Sequence, residues 1–464
     1  MAEPAIDYSY RYSGESSLAL TDGSGALRLA TSGGAVANPR LFSGRVLDPV
    51  LFADELLAIG AVARARFHVP PAMLEHVLLL ADTVATAAQD RLRFEAFSSC
   101  CSVYGRVDIL PGSIDGELLG AGTTNVDLGP GIRAALAGVQ SGAAMSLDIG
   151  LKTIAVGVNE ATHTERKVAL PRRWLRGFME VQAIQAGMRP RFHVDGAAAR
   201  RFLRSLPRSA TRPVFVRQPS GDLTIGHRAS SADVAVADPE RLRLLERLAP
   251  RATALGVWSA ADGSTAWCLE LPHSRLTLVL SPEAWRGFSG EGRTLEQLAD
   301  AGGHARLAAE VRARLAWQSR LSVDDLAKDL GVDQGAVAAA LAALASSGIL
   351  GFDLADGAYF HRVLPFSVGQ VERAAPRLRR ARQLTEAGAG TFEPGDGPNR
   401  VAWVKGRNAE YRVRLGPGGQ ACTCPWWGKH GGDRGPCAHV LAAQLLLDSA
   451  APATEVPVED RLDA

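Results

Sequence analysis

Cys422-x-Cys424, twelve intervening residues and then Cys437-x-His439 is the pattern that most tightly constrains this chain. Zinc takes four nitrogen or sulfur ligands tetrahedrally, and a short chain supplies them as two close pairs brought together across a loop. The flanks fit that closure. Arg400 to Lys405 and Glu410 to Leu415 alternate as two strands, and Gly416-Pro417-Gly418-Gly419 turns the chain toward Cys422. Pro436 precedes Cys437, and Val440 to Leu447 continues as a helix. Cys437 and His439 then fall in a helix's first turn, where the positive end of the dipole favours thiolate. Three thiolates around Zn²⁺ leave a formal charge of −1. Arg412, Arg414, Lys429 and Arg434 stand near enough in sequence to offset it and to offer a basic surface to a partner or to nucleic acid. His430, inside the loop, is an alternative ligand, but Cys-x-His is the better geometric pair. Four protein ligands leave no open position for water, so the expected zinc is structural.

The order strand, strand, Cys-x-Cys, loop, Cys-x-His, helix closely resembles the SWIM-type zinc finger. The resemblance implies one Zn²⁺ on Cys422, Cys424, Cys437 and His439. The longer N-terminal stretch is similar to bacterial SWIM-finger proteins that carry a large α+β region ahead of the finger. The segments Cys100-Cys101-Ser102-Val103-Tyr104, Gly122-Thr123-Thr124-Asn125-Val126-Asp127 and Leu364-Pro365-Phe366 carry that similarity. Members of that group are often encoded beside MoxR-type AAA+ ATPases and von Willebrand A-domain proteins, which implies a place in a multi-protein assembly. SWIM fingers also occur in mutator-type transposases and plant regulators, which implies DNA association as the alternative.

At 464 residues the chain has room for several domains of about 100–200 residues each. A 47% apolar and 22% charged composition excludes a disordered chain, a collagen or a coiled-coil rod. Net charge is only +2, which excludes a protein that coats nucleic acid over its whole surface but allows a local basic patch. Only five basic residues are Lys, a bias toward Arg that weakens any argument from an Arg cluster alone. The N-terminus has no basic and apolar leader pattern, and no apolar run approaches the roughly 20 residues of a membrane span. The expected location is cytoplasmic, with the six cysteines kept as thiols.

The expected fold class is multi-domain α+β. Residues 1–220 are expected to form an N-terminal α+β region, with helices over Leu51 to Ala63 and Pro71 to Ala88 and strands over Phe94 to Leu110, Thr123 to Leu128 and Met145 to Val158. Residues 241–302 are expected to be a second α+β unit. Val168 to Phe178 resembles Val279 to Phe288, each a strand end, a Pro, a Trp and a Gly-Phe, so the second unit is a candidate repeat of 145–190. Ser220 to Glu240 is the expected linker between them. Residues 303–366 show three helices and a hairpin, the order of a winged helix. Ser322-x-x-Asp325 opens the second helix, and Asp356-Gly357 turns the hairpin. A basic helix and a Gly/Pro-rich linker fill 367–399, the finger 400–447, and an acidic tail 448–464.

No nucleotide or hydrolase signature is present: there is no G-x-x-x-x-G-K-[ST], no H-E-x-x-H and no G-x-S-x-G. No catalytic residue is expected. Cys100, Cys101 and Cys268 read as core thiols on strands, and Asp108, Asp115, Asp127 and Asp148 as solvated turn acids. The third helix, Asp333 to Ser347, holds no Arg, Lys or Asn, so it lacks the side chains that read bases and phosphates. Only His361 and Arg362 on the wing keep a DNA-binding winged helix in play. The expected function is a zinc-binding, non-catalytic adaptor. The alternative is a DNA-binding regulator that uses the finger, the wing and the basic Arg373 to Arg382 helix. A third reading, an enzyme with a site in residues 1–300, has no constellation there to support it.

Overall fold

The computed structural model describes residues 17–21, 24–29, 40–67, 83–118, 120–126, 128, 130–150, 172–209, 212–285, 287–288, 305–364, 376–395, 397–416, 419–432 and 435–450. The chain begins with β1 (Ser17–Thr21), β2 (Ser24–Leu29), β3 (Arg40–Val46), α1 (Pro49–Arg64), β4 (Thr83–Ala87), β5 (Leu92–Phe97), β6 (Val103–Ile109), β7 (Ile114–Leu118), β8 (Gly122–Val126), α2 (Pro130–Ala137) and β9 (Ala144–Gly150). Next come α3 (Arg172–Ala186), β10 (Arg189–Asp195), α4 (Gly196–Ser205), β11 (Val214–Arg217), β12 (Thr224–Gly226), β13 (Val234–Val236), β14 (Ala254–Ser259), β15 (Thr265–Leu271) and β16 (Ser274–Leu280). A three-helix segment and its hairpin follow as α5 (Ala305–Ala313), α6 (Val323–Leu330), α7 (Gln334–Ser346), β17 (Leu350–Asp353) and β18 (Ala358–His361). The last module is α8 (Pro376–Glu386), β19 (Gly390–Phe392), β20 (Arg400–Lys405), β21 (Glu410–Leu415), β22 (Ala421–Cys422), α9 (Pro425–His430) and α10 (Ala438–Ala450).

An eight-stranded antiparallel sheet in the order β10-β14-β15-β16-β6-β5-β4-β8 organises the molecule. It is two meanders, β4-β5-β6 and β14-β15-β16, joined back to back where β6 pairs β16 from Val103↔Leu280 to Ile109↔Ser274. The Trp174 and Trp285 segments are not copies: Trp174 is buried in α3, whereas Trp285 is 57% exposed outside any helix and Gly287 has φ +58°. Residues 254–280 are likewise no separate unit, because their strands complete the sheet begun by β4 to β6. The expected linker is also structured, since β12 and β13 flank β11 and bury Leu223, Val234 and Val236. Thr83–Ala87, expected as helix, is a fully buried strand, and residues 68–82 lie outside the described part.

Side chains alternate between the two faces of a strand. On one face Leu92, Phe94, Val107, Trp267, Leu269, Leu276 and Leu278 meet α1 and α4. Asp48 caps α1 by accepting from the Leu51 N–H at 3.0 Å, and Pro49 follows where a missing N–H costs nothing. Gly105 on β6 lets α1 sit close, because a Cβ there would meet Val62 and Ile59 at 3.0–3.1 Å. On the other face Phe97, Tyr104, Ala266 and Val279 meet Trp174, Phe178 and Val181 of α3. Cys100 and Cys101 are buried as expected, but in the β5–β6 turn, with Cys101 at φ +56°. Cys268 is buried on β15, and burial pushes its thiol up to about 12.

One buried carboxyl gives a direct test of the α1 packing. Burial pushes Glu55 from 4.5 up to about 8, against a hydrogen bond donated by Ser274 Oγ; Asp48 and Asp54 add to the rise and Arg251 opposes it. The unfolded chain loses this proton above about 4.5, and the folded chain holds it to about 8. Stability is therefore fully present below 4.5 and is lost as pH rises toward 8. Glu55→Gln keeps the neutral shape, so its stability relative to the parent should improve by about 1.4 kcal/mol for each pH unit across that window. Denaturant melts at pH 5 and pH 7.5 would show this, and an equal difference at both values would refute it.

The three helices and hairpin of 305–361 follow the sequence pattern closely. Ser322 Oγ accepts from the Asp325 N–H at 3.1 Å, Asp333 caps α7, and Gly331 ends α6 at φ +65°. The hairpin does not face solvent. It lies on the α3 side of the large sheet over a buried ionic cluster. Asp353 approaches Arg93 at 3.3 Å, Arg106 at 2.9 Å and Arg275 at 3.2 Å. Asp108, expected to be solvated, is buried between Arg93 at 2.8 Å and Arg106 at 2.9 Å. Arg362 is buried against Glu95, and the Arg93 guanidinium lies 3.9 Å from the centre of the Phe360 ring. His361 is buried too, with Nδ1 accepting from the Trp317 N–H at 2.9 Å. Both wing side chains that kept DNA readout in play are thus committed inside the protein.

Candidate metal centre

The two expected finger strands form at the expected residues, β20 and β21, because each alternates an inward apolar row with an outward polar one. Ala402, Val404, Val413 and Leu415 point inward, while Trp403, Lys405, Arg412 and Arg414 point out. The inward row packs on Val440, Leu441 and Ala443 of α10. Two further elements join this core. β19 extends the sheet by pairing Gly390 to Phe392 with Val404 to Ala402, and α8 buries Leu378, Ala381 and Leu384. The basic helix and the Gly/Pro-rich stretch are therefore part of the finger's fold and do not tether it. Met179 of α3 touches the same core.

Each ligand is placed by a local device. Cys422 is brought into the sheet by pairing with Val413 on β21. Cys424 caps α9, its sulfur accepting from the Trp427 N–H at 3.4 Å. Cys437 precedes α10, and its carbonyl accepts the Leu441 N–H at 3.0 Å. His439 stands in the first turn of α10, its ring 4.6 Å from that of Tyr411. The three sulfurs and one His439 nitrogen all lie within 4.8 Å of one another. Nδ1 of His439 is 4.0 Å from both Cys422 Sγ and Cys437 Sγ. Zinc–sulfur bonds of about 2.3 Å put tetrahedral vertices about 3.8 Å apart. The donor set fits one zinc with a slight contraction, and the cysteines are already buried.

Three adjacent sulfurs resist ionising together. A hydrogen bond from the Cys422 thiol pulls Cys437 down to about 4, helped by His439 and by the backbone N–H groups at the start of α10. The same shared proton pushes Cys422 up, and burial raises Cys424. His430 lies outside the cluster, with its ring 4.9 Å from Trp426.

The basic residues expected to balance the site are distributed differently. Arg412 and Arg414 project from the outer face of β21, opposite the row that packs with Cys422. Lys429 is exposed on α9, and Arg434 lies outside the described residues. Around the ligands themselves stand Tyr411, Trp427 and Thr423, whose hydroxyl accepts the Arg412 N–H at 3.0 Å. The aromatic pair Trp426-Trp427 directly after Cys424-Pro425 was the available sequence signal for this packing.

Four protein donors, three strands converging on them and a helix start that supplies Cys437 just before it and His439 in its first turn define a closed structural zinc finger. Residues 411–446 match the SWIM zinc finger family model, so the chain carries a SWIM finger with a Cys₃His group positioned for one metal ion. None of the curated proteins matches the sequence. Among solved structures, slight likenesses are to proliferating cellular nuclear antigen from Entamoeba histolytica (TM-score 0.34, 11% identity) and to a PCNA2–PCNA3 complex from Sulfolobus tokodaii (TM-score 0.34, 7% identity). Each covers 52% of this chain and 99% of the other. Scores this low assign no shared fold. Among the described residues no helix is long and apolar enough to cross a membrane.

Proposed function

We propose that this protein is a non-catalytic adaptor whose zinc finger presents a protein-contact surface within a multi-protein assembly. The observation that carries the reading is the outer face of the finger sheet. Trp403 is 37% exposed there, directly across from Arg412, with Val401 across from Arg414. Trp403 Nε1 donates to Glu393 at 2.8 Å, and Glu393 also lies 3.8 Å from Arg412 Nε. An indole held in place beside two arginines matches the residue types that dominate protein interfaces. The buried wing and the base-free α7 remove the other surfaces a winged helix would give to DNA. A MoxR-type ATPase and a von Willebrand A-domain protein are the partners the family resemblance proposes, acting in the cytoplasm. The second reading, DNA binding through this same face, rests on Arg412 and Arg414.

Affinity purification of the tagged, zinc-loaded protein from its host, with and without nuclease, separates the two. Co-purification of an AAA+ ATPase that survives nuclease and is lost in Trp403→Ala is the expected result. Recovery that depends on nucleic acid would overturn it. If DNA were the ligand, Arg412→Ala with Arg414→Ala should flatten the log–log salt dependence of binding by about two units, each phosphate contact contributing about 0.9. The adaptor reading expects any duplex binding at low salt to be unchanged in that finger variant.

A further inference from the structure

A second surface, on the α1 and α4 side of the large sheet and remote in sequence from the finger, gathers positive charge in a concave setting. A cavity of about 300 Å³ is lined by Arg200 and Arg204 of α4, Arg208 just beyond it, and Arg243 of the 3-10 helix Pro239–Leu245, over a floor of Leu203, Leu206 and Pro250. Arg243 and Glu246 also line an adjoining, more open hollow of about 560 Å³, where Arg64 and Arg66 face Phe67 and Leu244. The two are one groove, divided by the Arg243–Glu246 ion pair at 2.9 Å.

The charge there is not internally balanced. Glu246 is taken by Arg243, and Glu240 is the remaining acid of the lining. Arg200 donates only to the Ala252 carbonyl, at 3.3 Å. Arg64, Arg66, Arg204 and Arg208 have no carboxylate partner among the described residues. The buried ionic cluster on the opposite face differs, since Arg93, Arg106, Arg275 and Arg362 are each matched to an acid there. The neighbouring Arg247 and Arg251 differ too, and pair with Asp54 and Asp48. Burial, with a smaller contribution from the nearby Arg133, lowers Arg64 to about 10.

Unpaired guanidinium forks are donors shaped for phosphate oxygens, which they bind bidentately. Arg200 and Arg204 stand one helical turn apart, about 6 Å, so the pair addresses successive groups along a chain and not a single point. Cavities of about 300–1,000 Å³ are of ligand size. We propose that this groove is a binding site for a run of phosphates, carried either by a free nucleotide or by a nucleic-acid backbone, with Arg200, Arg204 and Arg208 holding the phosphates and the Phe67 hollow receiving the attached group.

The test uses the full-length, zinc-loaded protein and calorimetric titration at low salt with inorganic triphosphate, ATP and a short single-stranded oligonucleotide. Binding of triphosphate is expected. ATP binding more tightly than triphosphate identifies a free nucleotide as the source, and the oligonucleotide binding more tightly than both identifies the backbone. Arg204→Ala with Arg208→Ala removes two exposed side chains that support no core, and should weaken whichever ligand binds by about tenfold per guanidinium. Lys328→Ala, an exposed cation on α6 outside the lining, should leave that affinity unchanged, and partner recovery through Trp403 is read separately, so failure of the groove and failure of the adaptor reading are separable. No binding of any of the three probes, or binding equally strong in the Arg204/Arg208 variant, would overturn the proposal.

Discussion

Cys437→Ser should abolish stoichiometric zinc and unfold residues 376–447 while the large sheet stays intact. The parent protein, purified without chelator, should carry one zinc per chain by elemental analysis. Zinc binding in small modules is worth about 10–16 kcal/mol and is inseparable from their folding. The finger's core cannot replace that. It consists of a few small strands and the inner faces of α8 and α10, and three of its buried residues are the ligands themselves. The unit that unfolds begins at Pro376, because Leu378, Ala381 and Leu384 have no other core to enter. Limited proteolysis should cut throughout that unit in the variant and spare residues 83–109 and 254–280, whose strands are fastened on both sides. A parent protein with zinc near zero, or a variant with an intact finger, would remove the site.

Asp353→Ala is expected to have the second largest effect, about 3–5 kcal/mol. Asp353 is a buried carboxylate that three arginines from two meanders share, Arg93 and Arg106 from the first and Arg275 from the second. Its removal leaves those cations buried without their common partner. Burial pushes this carboxyl up, but Arg106, Arg93 and Arg275 outweigh it and hold the group below the ordinary range. The stabilisation is therefore present above about pH 4 and is lost as the pH falls through the carboxylate range. Asp222→Ala, which breaks an ion pair between half-exposed side chains with Arg201, should cost under about 1 kcal/mol. Urea denaturation of both variants would compare them. A loss at Asp353 no larger than that at Asp222 would show that the hairpin is not held by this cluster.

What could be read from the sequence was what is specified locally. The finger strands, the capping pair at Ser322 and Asp325 and the ligand spacing each declare themselves within a short stretch of chain. The large sheet could not be read that way, because its central pairing joins segments far apart in the chain and its meanders are buried on both faces. The ionic cluster did have a signal. Arg93-x-Glu95 on β5 stands across from Arg106-x-Asp108 on β6, with Arg93 opposite Asp108 and Glu95 opposite Arg106. Opposite charges matched at alternate positions of a hairpin mark an ionic face. Taken singly, Asp108 looked like a solvated acid and Arg362 like a wing residue, since nothing near them in sequence named the partner. The basic helix misled for the related reason that its arginines outnumber the three small apolar residues by which it is held.

The β6–β16 seam also sets a schedule for the chain's own synthesis. β6 leaves the ribosome about 165 residues before its partner β16. At about 5–20 residues per second, that is a wait of roughly 10–30 s. Throughout it the first meander exists with Val103 to Ile109 as an open edge, a row of unpaired amides on an apolar strand of the kind that recruits other chains. Gly105, kept small so that α1 can close over it, lies in the middle of that edge. A nascent chain of this protein thus carries that edge uncovered until β16 is made. Slow codons placed between β6 and β16 would lower its yield without altering a single residue of the product.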